Sequence, residues 1–190
     1  MLKEDKKMKA IQKWKTLKTD VALDRKWCTV HQDTVELPSG KIIDDYFVHI
    51  RPDVVLVFPL KADGKVIMVR QYKHGAKKVL LEFPGGVADA GESSMEAAAL
   101  RELREETGYT SADLKQIGVV YDNPTKDTNR IFFFLARNVQ QLHETEFDLT
   151  EDIETVELQV EEIPALIRSG EIKVSGSIAI YYMAMANLNK

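Results

Sequence analysis

Hydrophobic and polar residues follow a strand-like pattern near the start of the chain. Two extended runs, RKWCTVHQDTVEL (residues 25–37) and KIIDDYFVHI (residues 41–50), are separated by the turn sequence PSG. Runs of this kind on either side of a Pro/Gly turn predict a β-hairpin. The first twenty residues are rich in lysine and contain no apolar stretch of signal-peptide length. We expect a solvated, partly helical lead-in there.

Beyond residue 50 the apolar runs become continuous, which is typical of strands that are covered on both faces. VVLVFPL (residues 54–60) is such a run, and the turn sequence ADG separates it from KVIMVRQY (residues 65–72). We predict that these two segments are central strands. Shorter apolar runs predict further strands over residues 79–83, 114–121, 130–136 and 154–160.

Three segments have the periodicity and the terminal residues of helices. Ser93 and Glu96 have capping-box spacing, and Gly108 stands where a left-handed cap belongs. These residues predict a helix over residues 94–107. The last two helices are expected over residues 161–169 and 177–188.

The order of these elements favours an α/β fold in which a mixed central sheet is sandwiched between helices. Residues 51–190 would form this main domain, and residues 1–50 would form an accessory antiparallel β region. Isolated hairpins are marginal in water, so we expect a second copy of the chain to cover the accessory region in a homodimer.

Composition narrows the class of protein. The net charge is -4, with 44% hydrophobic and 29% charged residues, which indicates a globular protein and argues against a nucleic-acid partner. Cys28 is the single cysteine and cannot form an internal disulfide, which agrees with a reducing cytoplasm. No stretch of the sequence reaches the ~20 apolar residues that span a bilayer, so we expect a cytoplasmic protein without a membrane partner.

The predicted helix over residues 94–107 gathers carboxylates in one neighbourhood. Glu102 and Glu106 are four residues apart, and Glu105 is three residues beyond Glu102. Like charges at this spacing repel one another, unless a divalent cation binds between them. Carboxylate oxygens favour Mg²⁺ or Mn²⁺ over zinc. The alternative is a charged outer face of a helix that binds nothing.

Gly85 and Gly86 precede this helix and would let the backbone turn so that a carbonyl faces the carboxylates. Arg101 is spaced to pair with Glu105, and Glu92 at the helix entrance could hold the same arginine. An ordinary turn is the alternative for the two glycines.

Together these residues resemble the signature of the Nudix hydrolases, in which a glycine is followed after five residues by glutamate and, after seven more, by Arg-Glu-apolar-x-Glu-Glu-x-Gly-apolar. Here Gly86 is followed after five residues by Glu92, and RELREETGY (residues 101–109) matches the end of the signature. One departure is that eight residues, not seven, separate Glu92 from Arg101. We expect the extra residue in the loop or first turn, where it bears on Glu92 and not on the metal glutamates.

The resemblance implies metal-dependent hydrolysis of a nucleoside diphosphate linked to another group. It implies that Glu102 and Glu106 are metal ligands and that the carbonyl of Gly85 completes the set. Glu105 would be a ligand or a partner of a metal-bound water, with a catalytic role, and Arg101 would orient these groups.

Over nearly the whole chain the sequence resembles the ADP-ribose pyrophosphatase type of Nudix enzyme. LLEFPGG (residues 80–86) resembles the entrance to its signature, and Pro124, fifteen residues after Tyr109, resembles its proline marker. The resemblance implies a nucleoside diphosphate sugar as substrate, with Pro124 at the substrate. Three further residues resemble positions that line the nucleotide pocket, although each could equally serve a structural role: Arg70, Gln71 and Glu82.

Enzymes of this type commonly place a catalytic glutamate on a loop ahead of the last strand. The segment TEDIE resembles that loop, so Glu151 is the expected base and Glu154 is the second choice. The alternative is a solvated acidic loop without a catalytic role. Two other functions stay open at this point. One is hydrolysis of a different nucleotide, such as a dinucleoside polyphosphate or a damaged nucleotide, and the other is nucleotide sensing without catalysis.

Overall fold

The structure is a computed structural model that describes residues 10–147 and 152–188. The chain divides into two units. Of the described residues, the N-terminal unit contains residues 10–51 together with the short segment 123–128, and the larger unit contains residues 52–122, 129–147 and 152–188.

The N-terminal unit is an antiparallel sheet of three strands in the order β1-β2-β3. The predicted hairpin is confirmed, because β2 and β3 pair from Thr29↔Ile50 to Glu36↔Ile42. Gly40 in the connecting turn has φ of 82°, a conformation that favours glycine. The three strands are β1 (Lys15–Arg25), β2 (Cys28–Glu36) and β3 (Ile42–Ile50).

The strand β1 corrects the prediction of a partly helical lead-in, which is wrong from Lys15 onward. β1 pairs with β2 along its whole length, and this long-range pairing outweighs the local helix preference of the lysines. Register shifts on both sides of the segment from Lys18 to Val21 interrupt the alternation of polar and apolar residues. The strand therefore carries a weak sequence signal.

The segment 123–128 is held to the end of β3 within the N-terminal unit. The His49 N–H donates to the carbonyl of Lys126 at 2.7 Å, and the Thr128 N–H donates to the carbonyl of His49 at 3.1 Å. The Asp127 carboxylate lies 3.1 Å from the Arg51 guanidinium and 3.2 Å from the His49 ring. Main-chain and ionic contacts thus fix this connection to β3.

The larger unit contains a mixed sheet of seven strands. Its main path runs β12-β5-β4-β10-β9, with β6 beside β5 and β7 beside β4. β10 runs parallel to β4 and antiparallel to β9, which confirms the predicted mixed sheet. The strands are β4 (Val54–Leu60), β5 (Lys65–Lys73), β6 (Lys78–Glu82), β7 (Gly85–Val87), β8 (Tyr109–Thr110), β9 (Asp113–Tyr121), β10 (Arg130–Arg137), β11 (Gln140–Gln141) and β12 (Ile153–Gln159), of which β8 and β11 form a separate ribbon.

Helices cover both faces of the central sheet, as predicted for an α/β/α sandwich. On one face Ile67 packs with Ala99 and Leu103 of α1. On the other face Met68 packs with Ile180 and Ala184 of α3. The helices are α1 (Met95–Thr107), α2 (Ile163–Ser169) and α3 (Ser175–Leu188), with a 3₁₀ turn at Val160–Glu162.

We name the two faces of the central sheet after the helices that cover them, as the α1 face and the α3 face. Along β5, Ile67 points to the α1 face and Met68 to the α3 face.

Within the described ranges, none of these helices is both long and apolar enough to cross a membrane.

Candidate active site

The helix α1 is closed at both ends by its own residues. Its N-cap is Ser94, whose hydroxyl accepts from the Ala97 N–H at 3.2 Å. The predicted capping box of Ser93 with Glu96 is therefore wrong, because the cap is one residue later and Ala97 stands at the third helical position. At the other end Gly108 has φ of 73° and its N–H donates to the carbonyl of Arg104 at 2.7 Å. The caps fix the two ends of α1, and with them the positions of its carboxylates along the helix.

The two glycines bring a strand edge against α1. Gly85 has φ of 152°, and a Cβ there would collide with the carbonyl of Val55 on the paired strand β4. A Cβ on Gly86 would lie 2.6 Å from the carboxylate of Glu102. Only glycine therefore allows β7 and Glu102 to approach this closely.

Glu106 is 3% exposed and is held by two groups from the sheet. The N–H of Gly85 donates to its Oε2 at 2.8 Å, and the Gln71 amide donates to its Oε1 at 3.4 Å. Burial of a carboxylate is costly unless hydrogen bonds compensate it, and these bonds supply part of that compensation. The structure thus places the predicted pocket residue Gln71 directly beside a predicted metal ligand.

Arg101 gathers the remaining acids of the signature. Its guanidinium donates to Glu92 and to Glu102 at 2.8 Å each, to Glu105 at 2.9 Å, and to the carbonyl of Val87 at 2.9 Å. The pairing of Glu92 with Arg101 is present despite the extra residue between them. Arg101 lowers the pKa of Glu92, and the surrounding carboxylates, Glu92 above all, raise the pKa of Arg101.

The donor set suits a hard divalent cation. Glu102 faces Gly86, Glu106 faces Gly85, and Glu105 is tied to the same arginine as Glu102. Among the residues that the structure describes, no three acidic, histidine or cysteine side chains gather closely enough to form a ready-made metal site. Arg101 instead supplies the positive charge between Glu102 and Glu105, and a cation would have to share these carboxylates with it.

Glu82 lies on the same side of the sheet as Gln71. It is 8% exposed, sits opposite Val69 in the pairing of β5 with β6, and has the Lys73 ammonium 2.9 Å from its Oε1. Sequence reasoning missed Lys73. The signal was available, because Lys73 follows Gln71 by two residues on one strand and therefore shares its face.

Arg70 and Glu154 lie on the opposite side of the sheet. They are partners across β5 and β12, and the Arg70 guanidinium donates to Glu154 at 2.8 Å. Arg70 alternates with Gln71, and Glu154 is two residues before Val156, which packs against the core of the α3 face. The structure therefore does not bring either residue to the carboxylates of α1.

The structure does not place two of the predicted site residues beside the carboxylates of α1. Pro124 belongs to the segment 123–128, which is part of the N-terminal unit. Glu151, the predicted base, lies outside the described residues.

Comparison with known proteins finds two family models that match the chain. Residues 50–175 match the model of the NUDIX domain, and residues 14–49 match that of the nucleoside diphosphate sugar hydrolase N-terminal domain.

Two curated relatives match along most of their length. The chain is 33% identical to an ADP-ribose pyrophosphatase of Bacillus subtilis over 94% of this chain and 96% of that protein. It is 29% identical to a methanol dehydrogenase activator of Bacillus methanolicus over 90% of this chain and 92% of that protein. A crystal structure of an ADP compounds hydrolase has the same fold, with a TM-score of 0.85, 23% identity and coverage of 95% and 97% of the two chains. With the acids of α1, the glycine strand β7 and these matches in place, the chain belongs to the Nudix hydrolase family.

Proposed function

We propose that this protein hydrolyses the diphosphate bond of ADP-ribose or a related nucleoside diphosphate sugar, giving a nucleoside monophosphate and a sugar phosphate. The observation that carries the proposal is the position of Glu106, buried against Gly85 and Gln71 at the edge where α1 meets the glycine strand. The substrate class is supported by the match to an ADP-ribose pyrophosphatase from end to end and by the matched N-terminal domain.

The reaction is proposed to depend on Mg²⁺ or Mn²⁺. Glu102, Glu105 and Glu106 would hold the cation together with the carbonyl of Gly85, since oxygen donors of this kind suit hard divalent ions. A bound cation would neutralise charge on the diphosphate and lower the pKa of a bound water. Both effects would help water to attack an anionic phosphorus group.

The other residues of the site prepare these carboxylates. Arg101 fixes Glu102 and Glu105 on one side of α1, and Glu92 fixes Arg101 in turn. The Gly85 N–H and the Gln71 amide orient Glu106. Lys73 and Glu82 form an ion pair on the same face as Gln71, where the ammonium can approach a substrate phosphate.

Glu151 is proposed as the residue that orients or deprotonates the attacking water, because it precedes β12 in an acidic segment of the kind that carries this residue in related enzymes. Glu154 is the weaker choice, since it lies on the α3 face in an ion pair with Arg70. Pro124 is proposed to contact the substrate from the segment 123–128.

A homodimer is proposed to form through the N-terminal sheet. Large apolar side chains of this sheet are exposed, including Val21 at 62% and Phe47 at 41%. A second copy would remove them from water, which favours association. A domain division at residue 50 is proposed as well, supported by the boundary between the two matched family models. A cytoplasmic location is supported by the free Cys28, and the lack of a nucleic-acid partner by the net charge of -4.

The test is release of nucleoside monophosphate from a panel of nucleoside diphosphate sugars, with Mg²⁺ or Mn²⁺ and with EDTA as the control. We expect the highest kcat/KM on an ADP-sugar and no release in EDTA. If the protein instead cleaves a dinucleoside polyphosphate or a damaged nucleotide with the higher kcat/KM, that nucleotide is its substrate and the proposed substrate is wrong. Tight nucleotide binding with no hydrolysis under any metal would mean that the protein is a nucleotide sensor.

A further inference from the structure

A polar cluster lies at the C-terminal end of α1, away from the signature acids. The Glu157 carboxylate on β12 accepts from the Tyr109 hydroxyl at 2.8 Å, from the Lys61 ammonium at 2.9 and 3.0 Å, and from the Lys65 ammonium at 3.3 Å. One carboxylate thus joins the helix end, the turn between β4 and β5, and β12.

Tyr109 combines an apolar ring with a hydroxyl in a buried position. The Nudix signature requires only an apolar residue after its last glycine, and the ring of Tyr109 meets that requirement by packing with Leu103 and Val139. The residue is 6% exposed, yet it carries a hydroxyl that must find a partner when buried. Glu157 is that partner.

The contact persists across the pH range of cells. Lys61 first, then Tyr109, lower the pKa of Glu157 to about 2. Burial and the neighbouring Glu157 raise the pKa of Tyr109. Glu157 is therefore ionised and Tyr109 is a neutral donor at neutral pH, which is the pairing that gives a strong charge-assisted hydrogen bond.

Tyr109 and Glu157 each belong to a part of the chain that leads to a proposed functional group, which is the carboxylate set of α1 for Tyr109 and the proposed base before β12 for Glu157. Tyr109 directly follows the cap of α1, whose last turns carry Glu102 and Glu106. Glu157 belongs to the strand that follows Glu151 in the chain, and it points to the α1 face, as Ile67 opposite it does. The hydrogen bond from Tyr109 to Glu157 therefore links the residue that follows the cap of α1 to β12.

We propose that Glu157 is a positioning residue that, through Tyr109, holds β12 in register with the metal-binding helix. The inference rests on the proposed function, because the register matters only if the helix holds the cation and the segment before β12 supplies the base. A misplacement of about 1 Å between such groups is enough to lower turnover strongly.

The test compares Tyr109→Phe, Glu157→Gln and the double variant in the full-length protein, with Asp63→Asn as the matched control. Asp63 lies in the same cluster but approaches Lys61 and Lys65 only at 3.7 and 4.0 Å. With an ADP-sugar and Mg²⁺, each single variant should lower kcat by about tenfold with KM within about twofold, and the double variant should lose no more than the larger single loss. Asp63→Asn should keep the kcat of the parent.

A purely structural role would lower the unfolding temperature and leave kcat unchanged wherever the protein is folded, and that result would overturn the proposal. Losses that multiply in the double variant would also overturn it, because the two residues would then act independently.

Hydrogen exchange of the backbone provides a readout that does not need activity. Glu157→Gln should speed exchange both in residues 103–109 and in residues 153–159, since one contact holds both segments. Faster exchange in only one segment, or in neither, would refute the coupling. If the parent protein hydrolyses no substrate, the proposed function fails, and the exchange experiment still decides whether Glu157 couples helix and strand.

Discussion

The two sheets of this protein differ in how they are covered. All eleven residues of β1 are exposed, whereas six of the eight residues of β10 are buried. Val21 on β1 is 62% exposed, and Phe133 on β10 is fully buried. The central sheet is completed by helices of its own chain. The N-terminal sheet displays apolar side chains that its own chain leaves in water.

This difference in covering suggests different roles for the two sheets. The closed sheet can hold Glu106 and Gln71 in a dry, fixed arrangement, because packing on both faces leaves its side chains little freedom. The open sheet is suited to association, since exposed apolar surface favours a partner. Changes in the central sheet should therefore alter catalysis, and changes in β1 should alter assembly.

Glu106→Gln is expected to have the largest effect. The amide keeps the shape of the side chain but removes a charge from the proposed metal site, so kcat should fall by about a thousandfold or more while the fold is retained. Steady-state kinetics with titrated Mn²⁺ should also show weaker metal activation. Glu96→Gln, an exposed glutamate in the first turn of α1, is the control and should behave as the parent does. A Glu106→Gln protein with near-normal activity would refute the role of α1.

Glu151→Gln and Glu154→Gln distinguish the two candidate bases. Loss of a general base costs about a hundredfold or more in kcat, and that loss is expected only for Glu151. Metal activation should hardly change. Glu154→Gln should stay within a few fold of the parent, because Glu154 is on the α3 face beside Arg70. The reverse result in kcat measurements would place the base at Glu154.

Val21→Asp should weaken the dimer without touching the central sheet. A buried charge at an apolar contact raises the dissociation constant, and we expect an increase of at least about tenfold. Sedimentation equilibrium measures this constant. Asp45→Lys, at an exposed polar position on β3, changes charge as well but should leave the dimer intact. Equal dimerisation of the parent and Val21→Asp would show that β1 is not the interface.

Glu92→Gln should have a smaller effect, seen in the acid dependence of stability. Arg101 lowers the pKa of Glu92 below its ordinary value of 4.5, so the ion pair stabilises the fold above that value. The stabilisation is lost as the pH falls through the lowered pKa in the folded protein. Glu92→Gln should remove about 1 kcal/mol of stability at pH 7 and a smaller amount at pH 3, as measured by denaturant unfolding across that range. An equal loss at both ends would mean that the charge of Glu92 does not matter.

The helix α1 could be predicted from the sequence because its signals are local. The spacing of Glu102, Glu105 and Glu106, and the cap at Gly108, each depend on residues within a few turns. The hairpin β2–β3 was equally local. The fold class followed from the order of such elements, and the predicted mixed sheet between helices is confirmed.

Long-range pairing could not be predicted in the same way. β1 was missed because its register shifts blur the alternation and its pairing to β2 is the reason that it is a strand. The face on which Glu154 lies depends on which side of β12 the helix α1 covers. The bond from Tyr109 to Glu157 joins residues 48 positions apart, and nothing in the local sequence indicates it.

The central claim is that water attacks one phosphorus of a nucleoside diphosphate sugar at the carboxylates of α1. Hydrolysis of ADP-ribose in water enriched in oxygen-18, with Mg²⁺, tests it most directly when both phosphate products are analysed by mass spectrometry. The account predicts equal amounts of AMP and ribose phosphate, with one oxygen-18 in only one of the two products and no turnover by Glu106→Gln. Labelling of both products, labelling of neither, or labelled product from Glu106→Gln at the parental rate would contradict it.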